Sequence, residues 1–374
     1  MRIGFDGKKA VSNLTGIGNY SRGIINLTVA AGNEAVVFAP TEGSVKCRAG
    51  LNDSPLIEYH IHDCHNALSR EWWRNKGITK DIASTGLDIF HGLSNELPVG
   101  IEKTGVKSVV TIHDLIFLRL PSTYSAIDRA ILKNKTLRAC RNANRIIAIS
   151  EKTKSDIVEL YHIPEEKIEV IYQGCHDLFY HPASAQMRAD VRKKYGLPDT
   201  YMISVGTIEY RKNHEAIIEA MAMTKSKLPL VIVSKKTHLQ EKLREKAERL
   251  GMADRVIFLN DVPLQDLPAL YQMALMALYV SRYEGFGIPV IEALASGTPV
   301  VAATGSCLEE AGGKGAIYCD PDDINAIGKA IDDIASSPEL FRQLVDLGQK
   351  HIRKFSAENL AQSMADFYKR LADD

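Results

Sequence analysis

Two rhythms of apolar residues alternate along the chain. Short β-rich runs are separated by stretches whose apolar positions return at helical spacing, and this alternation predicts parallel sheets with helices on both faces. The runs of the first half are RIGFD (2–6), EAVVFAP (34–40), LIEYHI (56–61), IFHGL (89–93), SVVTIH (108–113), RIIAIS (145–150) and IEVIYQ (168–173). A second series follows: YMISVGT (201–207), LPLVIVS (228–234), RVIFLN (255–260), ALMALYVS (274–281), TPVVAA (298–303) and GAIYCD (315–320). Because the pattern restarts near residue 200, two α/β domains are predicted, over 1–175 and 183–355. The turn-rich GCHDLFYHPA (174–183), broken by Pro182, joins them. Helical patterns near 323–335, 338–353 and 356–371 close the chain. Only the last carries a fresh cap signal, FSAEN, so a terminal helix at about 356–374 is expected to cross back to the first domain.

Composition narrows the class. With 374 residues the chain is more than twice the ~150 of one ordinary domain. Apolar residues at 45% and charged residues at 25% exclude a disordered or fibrous chain. The 46 basic residues balance 46 acidic ones, which argues against a nucleic-acid partner, since that binding needs a clustered positive excess. No apolar run is long enough to span a membrane, and MRIGFDGKKA lacks the apolar core of a secretory signal; a cytoplasmic location is expected. The six cysteines form no Cys-x-x-Cys pair, and no repeat is evident. The densest ligand-like cluster is His60, His62, Asp63, Cys64 and His65, but alternation along a strand sends neighbours to opposite faces, so no metal site is assigned.

In open parallel sheets ligands bind beyond the carboxyl ends of the strands, which directs attention to the loops there. The most informative is SRYEGFGIPVIEALASGTPVV (281–301). Gly285 and Gly287 permit close backbone approach. Pro289 marks a helix start, where the amides of Phe286, Gly287 and Ile288 can meet anions and hydroxyls. Glu284 and Glu292 frame this cradle, and a carboxylate at either place can accept two vicinal hydroxyls; the structural alternatives are a turn cap and a helix-dipole partner. A second loop, VGTIEYRKNHE (205–215), sets Arg211 and Lys212 just before a helix, where paired cations oppose the macrodipole and an anion such as a diphosphate would relieve the conflict. Two solvated surface cations are the alternative.

In the first domain, LTGIGNYSRGII (14–25) reads as a glycine-rich turn into a helix. Gly16 and Gly18 match the first two glycines of a dinucleotide fingerprint, but Ser21 replaces the third and FAPTE (38–42) offers no acid at the end of the second strand, so NAD is set aside. His113 ends the run SVVTI, where an imidazole would point into the crevice, and CDPDD (319–323) reads as a helix N-cap.

Over essentially its whole length the chain resembles the family 4 retaining glycosyltransferases, on EGFGIPVIEALASGTPVV with its Glu, seven residues, Glu spacing, and on VGTIEYRKN, TIHDL, IAIS and TGIGNY in the family's order. The resemblance implies the GT-B fold, two Rossmann-like domains with parallel sheets facing across a cleft, the first for the acceptor and the second for the donor. It also implies a nucleoside-diphosphate sugar as co-substrate, with Glu284 on sugar hydroxyls, Glu292 on ribose, and the amides of Phe286, Gly287 and Ile288 near sugar and phosphate. Arg211 and Lys212 would hold the diphosphate, His113 would lie beside the transferred sugar, and Gly16 and Gly18 would face phosphates and acceptor. Many members carry Arg after the glycine of the phosphate loop; Thr207 stands here, as in a mannosyltransferase-like subgroup, which shifts weight to Lys212.

The expected reaction is therefore transfer of a hexose, with mannose the leading candidate, to an acceptor hydroxyl of a glycan or lipid with the anomeric configuration kept. Fixed cations and amides would stabilise the departing diphosphate, so no divalent ion is required. The alternatives are a nucleotide-sugar epimerase of the same architecture and a sugar-nucleotide sensor without turnover. Segment 128–145 carries six basic residues against one acid, with Lys135, Arg138, Arg141 and Arg145 on one arc; peripheral contact with anionic lipid at the inner face of a membrane is one reading and a solvated helix face the other.

Overall fold

A computed structural model describes every residue except Asp63, His65 and Asp374. Two members of the His60–His65 cluster thus lie outside the described residues. Among the described residues, no group of three or more His, Cys, Asp or Glu side chains is placed to hold a metal ion.

The chain divides into two compact units. The first comprises residues 1–173 with 358–374, and the second 174–357. In the first, a seven-stranded sheet runs β3 (Ile57–Ile61), β2 (Glu34–Ala39), β1 (Arg2–Asp6), β4 (Ile89–Gly92), β5 (Lys107–Ile112), β6 (Arg145–Ala148), β7 (Ile168–Val170). In the second, six strands run β10 (Val256–Asn260), β9 (Leu230–Ser234), β8 (Tyr201–Val205), β11 (Ala274–Tyr279), β12 (Val300–Ala303), β13 (Ala316–Cys319). Every pairing is parallel. Each sheet reverses its order once, between β1 and β4 and between β8 and β11, the position at which diverging loops leave room for a ligand.

Twelve of the thirteen apolar runs named above contain one of these strands whole, and SVVTIH covers all of β5 except Lys107. For the inner strands the reason is burial on both faces. In β2, Val36 and Phe38 enter one core with Phe90, Val110 and Ile146, while Ala35 and Val37 enter the opposite core with Ile3, Phe5 and Val109. A strand covered on both sides has no polar face, so it reads as an apolar block.

Two local readings are corrected. Residues 174–183 belong to the second unit: Phe179 is fully buried and packs edge-on against Tyr271, and the Gly174 backbone lies against the carbonyl of Phe355. The helix Pro338–His351 also carries its own cap, because the Ser337 hydroxyl accepts from the Leu340 amide at 3.1 Å with Pro338 at the first helical position. Asp323 caps the preceding helix by accepting from Ala326 at 2.9 Å. The terminal helix Ala357–Asp373 packs on the first unit, where Met364, Phe367, Tyr368 and Leu371 complete its core.

No helix among the described residues is long and apolar enough to cross a membrane.

Candidate functional site

In the second unit the switch between β8 and β11 brings two sequence-distant loops together. After β8, Gly206 adopts φ +150°, a conformation side chains rarely take, and the chain runs on into a short turn, Tyr210–Lys212. After β11, the chain passes through Ser281 and Glu284 before Gly287, at φ +113°, turns it into the helix Ile288–Ala295. A Cβ at Gly287 would also come 2.7 Å from Leu308, so both backbone angle and space require glycine there.

These loops meet on Glu284. One of its oxygens lies 2.6 Å from Lys212 Nζ, the other 2.6 Å from Arg211 Nη1. The Ser281 hydroxyl donates to Oε1 at 2.6 Å and Tyr279 donates to the same oxygen at 3.2 Å; Lys212 in turn donates to the Tyr279 hydroxyl and lies over its ring. Burial alone would raise the Glu284 pKa, but the Lys212 and Arg211 charges outweigh it and hold the carboxyl at about 2. For Lys212 burial dominates instead, and its pKa is lowered although Glu284 pulls it up. Stripping one member from such a buried pair costs about 3–5 kcal/mol, because the remaining charge is left uncompensated.

The anion that relieves the paired cations is therefore Glu284 itself. Arg211 is the more committed of the two: it also donates to the Tyr283 carbonyl at 2.9 Å and pairs with Glu209 at 3.2 Å. Nor do the cations face a helix start directly, since Asn213, at φ +59°, separates them from the helix His214–Met223. Asn213 donates to the Pro321 carbonyl at 2.7 Å and accepts from Arg282 at 2.5 Å, so it pins the turn.

Glu292 occupies a different environment. It accepts from the Tyr271 hydroxyl at 3.2 Å, and burial pushes its pKa up to about 7, the hydroxyl bond only partly opposing this. Phe286 is buried edge-on against Phe355, and the Cys307 thiol donates to the carbonyls of Glu284 and Phe286, which fixes the loop from behind. Past Gly287, Pro289 has no amide N–H and the Val290 amide donates to the Gly287 carbonyl at 2.9 Å, which leaves the Ile288 amide as the first-turn donor outside the helix ladder.

In the first unit a short helix, Lys8–Ser12, stands between β1 and the glycine turn. Gly16 opens the helix Gly16–Ala30, and nothing lies within 4 Å of where its Cβ would be. At Gly18 a Cβ would fall 1.9 Å from the Asn13 carbonyl oxygen, so this glycine serves packing of the turn. Arg22 fastens the same turn by donating to the carbonyls of Ala10 and Asn13, each at 2.8 Å.

The expectation that His113 points into a crevice is not met. Its ring is buried, 4.8 Å edge-on from Tyr20, with Nε2 2.8 Å from the Leu93 carbonyl, and burial drives its pKa down to about 4. A neutral imidazole donating from Nε2 suits that carbonyl, which places His113 in a structural hydrogen bond. The strand-end position alone could not distinguish the two outcomes.

Sequence reading missed Tyr279, Ser281 and Tyr271. Tyr279 and Ser281 stand at the end of β11 just before Glu284, and that adjacency was the available signal; Tyr271, in helix Leu267–Met273, is separated from Glu292 by the whole of β11 and carried none.

On helix Ala126–Asn142, part of the proposed basic arc is already engaged: Lys135 Nζ lies 2.7 Å from Glu71 and 3.7 Å from Glu96. Both acids also hold the buried Arg74, which lies 3.1 Å from Asp6 at the end of β1.

Residues 14–177 match the family model described as glycosyltransferase family 4, and residues 187–351 match glycosyl transferases group 1. The O-antigen chain mannosyltransferase B of Escherichia coli is 30% identical over 289 residues, covering 76% of this chain and 74% of that one. The O-antigen chain mannosyltransferase RfbU of Salmonella typhimurium is 26% identical, covering 69% and 68%. Among solved structures, HepE of Anabaena in complex with UDP and glucose superposes with a TM-score of 0.77 at 18% identity, over 99% of this chain and 100% of that one. Sucrose-phosphate synthase from Thermosynechococcus elongatus gives 0.76 at 20% identity, over 99% of each chain.

Proposed function

The chain belongs to the family 4 glycosyltransferases, GT-B enzymes that move a sugar from a nucleoside-diphosphate sugar to an acceptor, and from that premise we propose that it transfers a hexose, mannose first among the candidates, with its anomeric configuration kept. The acceptor is a hydroxyl of a growing glycan or lipid-linked saccharide, a reading supported by the O-antigen mannosyltransferases among its relatives. In this reading the second unit takes the donor and the first the acceptor.

The observation that carries the assignment is the closed triad of Lys212, Glu284 and Arg211. A diphosphate brought to Lys212 competes with Glu284 for the ammonium. The carboxylate oxygen thereby released accepts sugar hydroxyls, so donor binding exchanges one ion pair for another rather than burying a new charge. Glu292 receives the ribose hydroxyls, and the amides of Phe286, Gly287 and Ile288 meet sugar and phosphate at the helix N-terminus. As the bond from the anomeric carbon to the diphosphate breaks, negative charge grows on the leaving group, where Lys212 stabilises it. The acceptor oxygen bonds to the same face of that carbon, and its proton passes to the departing phosphate. His113 and Gly18 keep packing roles within the first unit, His113 at the end of β5 and Gly18 in the glycine turn.

The deciding experiment follows free nucleoside diphosphate from several nucleotide sugars, with and without candidate acceptors. Acceptor-dependent release is expected; interconversion of donors would reveal an epimerase, and binding heat without release a sensor. Lys212→Ala should lower turnover at saturating donor by about 10²–10³-fold, the cost of losing one preorganised charge at the leaving group. Unchanged turnover would remove Lys212 from the mechanism.

Peripheral membrane contact is favoured by one feature of helix Ala126–Asn142: Ile127 and Ile131 are exposed one turn apart. Vesicle sedimentation that ignores anionic lipid would discard it.

A further inference from the structure

Behind the loop that bears Arg211 and Lys212, the second unit encloses a cavity of about 320 Å³. Its floor is apolar: Ile208, Ala216 and Leu243 are all at least nine-tenths buried. Tyr210, Leu239 and Pro321 raise the walls. One floor group is polar. His214 is only 3% exposed, and its Nδ1 is buried without a hydrogen-bond partner.

The charges at the rim are largely spoken for. Lys246 pairs with Glu215 at 2.9 Å and with Glu219, Arg282 pairs with Asp322 at 2.7 Å, and Glu209 pairs with Arg211. With three cations, Lys242, Lys246 and Arg282, against four carboxylates, the lining offers no surplus of positive charge to an anion. What it leaves unmet is a hydrogen bond at the bottom of an apolar slot, below a rim of carboxylates that accept hydroxyls. A cavity of this volume, at the lower end of the roughly 300–1,000 Å³ of ligand pockets, accommodates a small ring compound.

We propose that this cavity is a second ligand site, separate from the donor site, for an uncharged nucleoside: the flat base lies on Ile208, Ala216 and Leu243 with a ring N or N–H toward His214, and its sugar hydroxyls meet the rim carboxylates. The site is coupled to the proposed donor grip through its own wall. Arg282 lies over the Tyr210 ring at 4.8 Å, donates to Asn213 at 2.5 Å, and its backbone amide donates to the Arg211 carbonyl at 2.9 Å. An occupant therefore braces the turn that presents Arg211 and Lys212, and tightens or loosens their hold on an incoming anion.

The test is calorimetry on the full chain with adenosine, guanosine, cytidine and uridine as separate probes, each run with and without saturating nucleoside diphosphate. Saturable binding of at least one nucleoside that persists when the diphosphate is present is expected. It should weaken at least tenfold both in Ala216→Leu, which fills the floor, and in His214→Phe, which keeps a ring and removes the nitrogen. Hydrogen exchange of 209–214 should slow on binding. Displacement by the diphosphate would place the nucleoside in the donor site and overturn the proposal, as would absence of saturable binding. Because the readout is binding rather than transfer, failure here leaves the transferase assignment standing, and failure of transfer leaves this site standing.

Discussion

Glu284 and Glu292 belong to one motif, yet their surroundings give them opposite proton affinities. Two cations hold Glu284 at about 2; Glu292, with a phenol as its partner, is pushed up to about 7 by burial. Spacing marked both as hydroxyl acceptors and could not separate them, because the separation comes from Arg211, Lys212 and Tyr271, which other segments supply. The consequence for stability has a definite sign. Folded Glu292 keeps its proton up to about pH 7, while the unfolded side chain releases it near 4.5. The folded state thus binds more protons between these values, and stability declines as pH rises through that window. Glu292→Gln should flatten the decline, gaining on the order of 1–3 kcal/mol at pH 8 relative to pH 4.5, since each tenfold difference in proton affinity between folded and unfolded chain is worth about 1.4 kcal/mol. Urea unfolding at the two pH values measures it, and parallel curves for mutant and parent would show that the proton does not belong to Glu292.

Among the elements, the glycine turn before helix Gly16–Ala30 shows how one pattern conceals two roles. Gly16 and Gly18 look alike in sequence, but a methyl group at Gly18 would strike the Asn13 carbonyl at 1.9 Å, whereas one at Gly16 meets open space. Gly18→Ala should therefore destabilise the chain by about 1–3 kcal/mol, as overpacking does. Gly16→Ala, inside the first turn of a helix, should be neutral or stabilising by up to about 1 kcal/mol through reduced entropy of the unfolded chain. Thermal unfolding of both variants checks this, and equal losses would refute the packing assignment. The strands were easier to read than this turn, since burial on both faces writes itself into a local run of apolar residues, while close approach of two backbones leaves no compositional trace beyond the glycine.

Across the whole molecule, the chain leaves the first unit after Gln173 and re-enters it at Glu358. The returning helix is tied in by a buried polar chain: the Tyr368 hydroxyl lies 2.7 Å from His91 Nδ1, His91 Nε2 2.8 Å from Thr111 Oγ1, and Thr111 2.9 Å from the Tyr20 hydroxyl. Burial lowers the His91 pKa to about 3, so the ring is neutral and needs one donor and one acceptor. Tyr368→Phe leaves a ring nitrogen unpaired and should cost about 1–3 kcal/mol, read from chemical unfolding; a loss below about 0.5 kcal/mol would mean the ring finds another partner. Periodicity and terminal chemistry determined the strands, the two series they form, and the glutamate and cation motifs at their ends, because these depend on residues close in sequence. Sheet order was decided only in three dimensions, and with it the meeting of β8 with β11 that sets Arg211 against Tyr283, 72 positions away, and both cations on Glu284. The burial of His113 was decided there too, as was the proton on Glu292. Desolvation and pairing are summed over atoms from remote segments, and no local stretch of sequence contains that sum.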